Sequence, residues 1–239
     1  MKIVGIIVEY NPLHNGHVYH INKIKESANP DLIIAVMSSS ITMRGDLSIF
    51  DKFTKTKQAI KNNVDIVIEL PMIYSMQRAD IFAKNAVDLL NYMNVDEIWI
   101  GSEENNVENY KKYYNLEANV DTSDGKSYKS ASYEIMSMQS NDILGYGYYK
   151  AIMDGKYNIK LNTIKRESSN YLDTIPTNST ITSALSIRNN LDLIDNYCPD
   201  YVTKDNLLDE NKLFQLLKYK ILSSSTLELK GCLCIFYLM

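Results

Sequence analysis

The sequence predicts an α/β fold in which helices cover both faces of a doubly wound parallel sheet. Short runs of apolar, β-branched residues recur five times along the chain, and patterns with helical periodicity fill most of the intervals between them. Strands that are apolar on both faces are typical of buried parallel sheets. Because such sheets bind ligands outside the carboxyl ends of their strands, we expect a ligand site at that edge.

The predicted elements alternate along the chain. Strands are expected at residues 2–8, 32–37, 65–70, 97–100 and 157–164. Helical patterns cover residues 17–27, 51–62, 79–93, 130–138 and 141–153. In the third of these helices, apolar residues return every three or four positions, which gives the helix one buried face.

The last quarter of the sequence is predicted to be mostly helical. Thr182 and Ser183 precede the apolar residues of a short helix that extends to residue 189, as helix-capping hydroxyls do. After Cys198 and Pro199, residues 212–222 form an amphipathic pattern. We therefore expect a ligand-binding domain over residues 1–190 and the start of an incomplete helical region over residues 191–239.

Composition restricts the classes of partner. The 239-residue chain is 45% hydrophobic and carries a formal net charge of -4, so it lacks the basic excess with which many proteins hold nucleic acid. A local group of Lys52, Lys55, Lys57 and Lys61 is either a phosphate contact or a solvated helix face.

The sequence also predicts a cytoplasmic protein without a membrane partner. The apolar amino-terminal run is too short for a signal peptide, and no run approaches the roughly 20 residues that span a bilayer. The cysteines, Cys198, Cys232 and Cys234, are odd in number, which favours free thiols in a reducing compartment. Because their spacing fits no zinc site, no protein metal site is expected.

The stretch VEYNPLHNGHVYH, residues 8–20, contains the three histidines of the chain. Pro12 forces a turn after the first strand, and His14 then opens the first helix. The amino terminus of a helix attracts phosphate, and Gly16 allows the backbone to approach it closely. His14 and His17 lie three residues apart on one face, where they can donate hydrogen bonds to a nucleotide phosphate under attack. The pattern indicates nucleotidyl transfer, although incidental capping histidines would look similar.

Several motifs together carry a family resemblance. The stretch GIIVEYNPLHNGHVYHI, residues 5–21, is similar to the H-x-G-H nucleotidyltransferase superfamily and specifically resembles the bacterial tRNA(Met) cytidine acetate ligases. Further matching motifs follow in the expected order: AVMSSSITMRGD (35–46), DIVIELP (65–71), IGSE (100–103), NDILGYGYYKAI (141–152), IKRESSNYLD (164–173) and ITSALSIR (181–188).

The resemblance implies a Rossmann-like ATP-binding domain over residues 1–190 and an enzyme with three substrates, ATP, acetate and elongator tRNA(Met). Acetate would be activated as acetyl-adenylate, and the acetyl group would pass to N4 of the wobble cytidine. ATP is expected to bind with or without Mg²⁺. The resemblance leaves the oligomeric state open. His14 and His17 are the implied catalytic residues. The implied ATP-binding residues are Ile7, Val8, Glu9, Tyr10, Asn11, Pro12, Leu13, His14, Asn15, Gly16, His17, Val18, Tyr19, His20, Gly101, Asn141, Asp142, Arg166 and Glu167, with Arg44 and Arg188 as further basic candidates.

The sequence departs from the family pattern in several places. Asp142 stands where the family usually carries asparagine, and a carboxylate there would repel a polyphosphate. Ser39 and Met43 replace the usual glycine and glutamine. The final nine residues, GCLCIFYLM, match nothing expected of the family, so we hypothesise a truncated or frameshifted product. Two alternatives stay open: another H-x-G-H transferase that adenylates a small phosphorylated acceptor, and a nucleotide-binding remnant without turnover.

Overall fold

The described part of the chain is built around one five-stranded parallel sheet. The computed structural model describes residues 1–118, 138–166 and 180–229. The strands are β1 (Ile3–Val8), β2 (Leu32–Ser38), β3 (Ile66–Leu70), β4 (Glu97–Ser102) and β5 (Lys160–Lys165), in the order β3-β2-β1-β4-β5. The α/β prediction is therefore confirmed. The order reverses between β1 and β4, which opens a crevice at their carboxyl ends.

Helices connect the strands and continue after the last one. Nine are described: α1 (Asn15–Ala28), α2 (Lys52–Lys61), α3 (Met72–Ser75), α4 (Ala79–Tyr92), α5 (Val107–Ala118), α6 (Ser140–Gly155), α7 (Ala184–Asn189), α8 (Ile194–Tyr197) and α9 (Glu210–Ser223). Sequence analysis missed α5. The helix predicted at 130–138 lies, apart from its last residue, outside the described residues. The fifth strand begins at Lys160 instead of residue 157 because Lys156 ends α6 in a left-handed conformation.

Each face of the sheet has its own hydrophobic core. On one face, Leu90 of α4 and Tyr148 of α6 pack with Ile98 of β4. On the other, Ile21 of α1 packs with Ile6 of β1. Helix α4 approaches the first face closely. A Cβ atom on Gly5 would lie 2.9 Å from both Leu90 methyl groups, so the absence of a side chain allows α4 to rest directly on β1.

The second core continues past residue 190, where sequence analysis placed a domain boundary. Ile194, Cys198 and Val202 are at most 7% exposed and pack in the same cluster as β1 and α1. The Leu208 N–H donates to the Ile49 carbonyl at 2.8 Å, which attaches the segment before α9 to the first half of the chain. Residues 194–208 therefore pack with the first half of the chain.

Helix α9 forms where the amphipathic pattern predicted it, but it contributes no buried residue. Most of its large apolar side chains, including Phe214, Leu216, Tyr219 and Leu222, are more than half exposed. None of the helices within the described ranges is long and apolar enough to cross a membrane. The hypothesis about the final nine residues concerns a segment outside the described residues.

The lysines of α2 have different roles. Lys57 and Lys61 are exposed, and Lys52 forms an ion pair with Glu69 at 2.7 Å. Lys55 is fully buried, and its ammonium group donates to the Ser38 and Ser39 carbonyls at 3.0 and 2.7 Å. Burial lowers the pKa of Lys55 to about 8 although Glu9 and Glu69 act in the opposite direction. Lys55 therefore anchors the loop that follows β2.

Candidate active site at the carboxyl edge of the sheet

A cavity of about 400 Å³ opens at the carboxyl ends of β1, β4 and β5. It lies at the reversal of strand order, where doubly wound sheets bind ligands. Most of the predicted site residues line it: Ile7, Val8, Glu9, Tyr10, Asn11, His14, Gly16, His17, Tyr19, His20, Arg44, Gly101, Asn141, Arg166 and Arg188. Pro12, Leu13, Asn15, Val18 and Asp142 are not part of the lining. Glu167 lies outside the described residues.

Sequence analysis missed a second group of lining residues, most of them apolar. They are Met43, Ala79, Phe82, Trp99, Ile100, Ser140, Ile143, Leu144, Tyr148, Ile164, Lys165, Ile181, Thr182, Ser183 and Ala184. Several belong to strands and helices in which an apolar residue ordinarily indicates a core position. The one available signal was their place at a strand end or in the first turns of a helix, close to the edge that binds ligands.

The turn between β1 and α1 is held by its neighbours. The Asn11 side-chain oxygen accepts from the Ile49 N–H at 2.9 Å and from the Ser48 hydroxyl at 3.2 Å. Arg188 donates from Nη1 to the Asn11 carbonyl at 2.7 Å. Leu13 is fully buried in the core beneath the turn. Asn11 and Leu13 therefore position the turn, and Arg188 links it to α7.

His14 and His17 cap the first helix reciprocally. The Gly16 N–H donates to Nδ1 of His14 at 3.0 Å, and the His14 N–H donates to Nδ1 of His17 at 3.2 Å. A neutral imidazole that accepts at Nδ1 carries its proton on Nε2. Each ring therefore keeps an Nε2–H donor. The ring centroids are 3.9 Å apart, so the two donors lie side by side at the amino terminus of α1.

The histidines are held in their neutral forms. Burial lowers the pKa of His14 to about 3, and the Arg166 and Arg188 cations act in the same direction. Burial, His14 and Arg166 place the pKa of His17 well below its usual range. Burial and Arg166 lower the pKa of His20 to about 4. At neutral pH the rings supply hydrogen bonds, and the arginines supply the positive charge.

Arg166 follows β5 directly and lies near enough to His14, His17 and His20 to lower the pKa of each ring. Its Nε is 3.5 Å from Oε1 of Glu103, which also accepts from the Asn141 side-chain amide at 2.5 Å. A Cβ atom on Gly101 would lie 3.3 Å from Cγ of Arg166, so the glycine leaves room for this side chain to lie along the strand end. Burial raises the pKa of Glu103, with further upward influence from Asp142.

Asp142 lies behind the cavity wall, so the structure does not bring it to the expected nucleotide position. It is fully buried, and its Oδ1 accepts from the hydroxyls of Ser102 and Tyr110. Its Oδ2 accepts from the Glu103 and Glu104 N–H groups, both at 3.2 Å. Four donors satisfy one carboxylate, which explains how a charge is tolerated here. The expected repulsion of a polyphosphate does not apply to a side chain outside the cavity.

Asn15 and Tyr10 of the β1–α1 motif contact other parts of the protein. Asn15 donates from its side-chain amide to the Thr180 carbonyl at 3.0 Å. The Tyr10 ring contacts the His17 ring edge-on at 4.8 Å. No cluster of three or more histidine, cysteine, aspartate or glutamate side chains suited to a metal ion occurs among the described residues.

The arrangement as a whole suits an anionic ligand. One cavity is bordered by the amino terminus of α1, by two neutral Nε2–H donors and by three arginines, Arg44, Arg166 and Arg188. Donors fixed in place before a ligand arrives stabilise charge that develops during a reaction, because they need not reorganise.

Comparisons with known proteins agree with this description. A family model described as HIGH Nucleotidyl Transferase matches residues 1–235. The tRNA(Met) cytidine acetate ligase of Staphylococcus aureus strain MRSA252 is 38% identical over 251 aligned residues, which cover 97% of this chain and 66% of that protein. The chain thus spans slightly less than two thirds of the length of this relative.

Solved structures show the same fold. Apo Thermotoga maritima TmcAL superposes with a TM-score of 0.70 at 30% identity, covering 92% of this chain and 57% of that one. The same protein bound to alpha-thio ATP superposes with a TM-score of 0.67 at 31% identity, covering 84% of this chain and 54% of that one.

Two substitutions at His14 separate its capping role from its donor role. His14→Ala removes both, so we expect a loss of about 1 kcal/mol in unfolding free energy, which is typical of a lost helix cap. His14→Asn keeps a capping oxygen and should retain most of that stability, yet it lacks the ring Nε2–H. Denaturant unfolding of both variants measures the difference. Equal destabilisation would contradict the capping role.

Asp142→Asn tests the four-donor cluster. An amide nitrogen would face at least one pair of donors, so we expect the unfolding free energy to fall by about 1.5–3 kcal/mol, the range for hydrogen bonds to a charged group. Asp154→Asn is the matched control, because Asp154 lies on the same helix and accepts an exposed hydrogen bond from Tyr114. If both variants unfold at the same denaturant concentration as the unmodified chain, the cluster contributes nothing.

Proposed function

The chain belongs to the HIGH nucleotidyl transferase family, and on that basis we propose that it is an ATP-dependent ligase that acetylates elongator tRNA(Met). Its substrates would be ATP, acetate and the tRNA, and the modified position would be N4 of the wobble cytidine. ATP and tRNA make the cytoplasm the expected compartment. The proposal is supported by the 38% identity to a tRNA(Met) cytidine acetate ligase, and it applies to a chain that spans part of that relative.

One structural observation carries the chemistry: the neutral His14 and His17 pair at the amino terminus of α1, with Arg166 and Arg188 beside it. In the first step, a carboxylate oxygen of acetate attacks the α-phosphorus of ATP. The bond from that phosphorus to the oxygen bridging to the β-phosphate breaks, and pyrophosphate leaves. Negative charge on the non-bridging oxygens of the α-phosphate grows in the transition state, where the two Nε2–H groups donate to it.

The neutral state of the rings determines what they can do. Because the pKa of His14 is lowered to about 3 and that of His17 lies well below its usual range, neither ring holds an imidazolium proton to give away at pH 7. His14 and His17 therefore act in this proposal as hydrogen-bond donors and not as general acids. The positive charge that opposes the phosphates comes from Arg44, Arg166 and Arg188, together with any Mg²⁺ that arrives bound to ATP as its counter-ion.

Most of the other predicted residues fall into two groups in this proposal. Val8, Gly16, Tyr19, His20, Gly101 and Asn141 line the ATP site, and Ile7 and Glu9 border it from the other face of β1. Pro12, Leu13, Asn15 and Val18 support the first helix and its turn. Glu167 keeps its proposed place in the ATP site by family resemblance alone.

In the second step, the N4 amine of the cytidine attacks the acetyl carbon of acetyl-adenylate. The bond from that carbon to the phosphate oxygen breaks, AMP leaves, and N4 loses one proton. The net result is one amide bond, one AMP and one pyrophosphate for each ATP consumed.

The first step is tested by ATP–pyrophosphate exchange with and without acetate. We expect exchange that depends on acetate and that falls by about 10²-fold or more in His17→Gln, the scale of losing one transition-state donor. Glutamine at this position can still accept the His14 N–H in the manner of a capping box, so the helix is expected to remain intact.

Lys25→Ala, on the exposed side of α1, is the control and should exchange at the unmodified rate. Full activity in His17→Gln would remove His17 from the mechanism. Exchange that depends on a phosphorylated acceptor instead of acetate would contradict the proposed substrate.

A further inference from the structure

The two walls of the cavity differ in chemistry. On the α1 side of the sheet lie the imidazoles of His14, His17 and His20 and the flat ring of Trp99. On the α4 and α6 side the lining is mostly apolar, and Phe82, Ile100, Leu144 and Tyr148 belong to the other core or pack against it. We call this second surface the apolar wall and define it by Ala79, Phe82, Ile100, Leu144 and Tyr148.

We propose that the apolar wall binds the alkyl group of the carboxylic acid substrate and limits its length. This inference rests on the proposed function and deepens it, because it concerns which acids the same site accepts. The substrate class is a short, unbranched aliphatic monocarboxylate.

The position of the phosphate donors leaves the apolar wall for the second substrate. Helix α1, His14 and His17 lie on the face of the sheet that also carries Trp99, so triphosphate and nucleoside can occupy one continuous side. Ile7 of β1 points to the other face, where it packs against the α4 and α6 core. A small acid on that side would approach the phosphates across the end of β1.

The dimensions of the wall suit a small group. Phe82, Ile100 and Tyr148 are only 3%, 6% and 4% exposed, so nearly all of their surface already contacts protein. Helix α6 also lies close to α4 here, since a Cβ atom on Gly147 would be 3.0 Å from Cβ of Ala83. Packing this close limits how far the wall can yield to a longer chain.

Charge determines the orientation in which the acid binds in the cavity. Within the lining of the described cavity, Glu9 is the single carboxylate, and it lies beside the apolar wall. Its Oε1 is already held by the Met43 N–H at 2.7 Å. A second carboxylate placed beside Glu9 would be repelled, whereas an alkyl group would not. The acid is therefore oriented with its alkyl end against the wall and its carboxylate toward the histidines and arginines.

Two substitutions change the size of this space in opposite directions. Ala79→Leu fills it, and we expect the acetate KM to rise at least 10-fold while ATP affinity changes less than two-fold. Leu144→Ala enlarges it, and we expect the ratio of kcat/KM for propionate to that for acetate to rise about 10-fold, within the roughly 10- to 200-fold range for one methylene in a pocket. Both side chains are only partly buried, so the fold should tolerate the changes.

The experiment compares both variants with the unmodified chain in ATP–pyrophosphate exchange, using acetate, propionate and butyrate. Trp99 is the one tryptophan of the chain and lines the opposite wall, so its fluorescence reports ATP binding separately. Ile81→Ala is the control, because Ile81 lies on the exposed side of α4. Changes confined to acid kinetics, in the two stated directions, support the proposal.

Three results would overturn it. Weakened ATP binding in Ala79→Leu with an unchanged acetate KM would show that the wall holds the base of the nucleotide. Unchanged kinetics in both variants would place the acid elsewhere. If the unmodified chain binds ATP but shows no exchange with any of the three acids, the proposed function itself fails, and this inference fails with it.

Discussion

The reciprocal cap formed by His14 and His17 is the interaction on which the rest of the site depends. Each ring uses Nδ1 to accept a backbone N–H, and this one choice fixes the helix start, the tautomer and the remaining Nε2–H donor. Burial and nearby cations keep the rings neutral. The helix cap thus also orients two Nε2–H donors at the amino terminus of α1, where a helix attracts phosphate.

The two histidines are held in a defined position because the surrounding loops are attached to the same turn. Asn11 holds the loop after β2 through Ile49, and Arg188 reaches back from α7 to the Asn11 carbonyl. Lys55 anchors the other end of the β2 loop through two hydrogen bonds from its buried ammonium group. Segments far apart in sequence therefore converge on one short turn, and this convergence sets the shape of the cavity before any ligand binds.

Much of this could be predicted from the sequence, and the failures have physical causes. Alternation of apolar strands and amphipathic helices predicted the sheet, and the spacing of His14 and His17 predicted that both rings lie together at the start of the first helix. Phe82 and Tyr148 were missed because a residue that borders a cavity has the same apolar signature as a core residue. Asp142 was misplaced because its identity indicates a charge, whereas its surroundings depend on donors from β4 and α5 that are distant in sequence. The extent of the second core beyond residue 190 depends likewise on long-range packing.

The measurement that tests the central claim most directly is nitrogen-15 NMR of the histidine rings at pH 7. For His14 and His17 we predict neutral imidazoles with an unprotonated Nδ1 and a protonated Nε2, and no change of charge as the pH falls from 7 to about 5. An imidazolium form at pH 7, or a proton on Nδ1 of either ring, would contradict the reciprocal cap and the donor role derived from it.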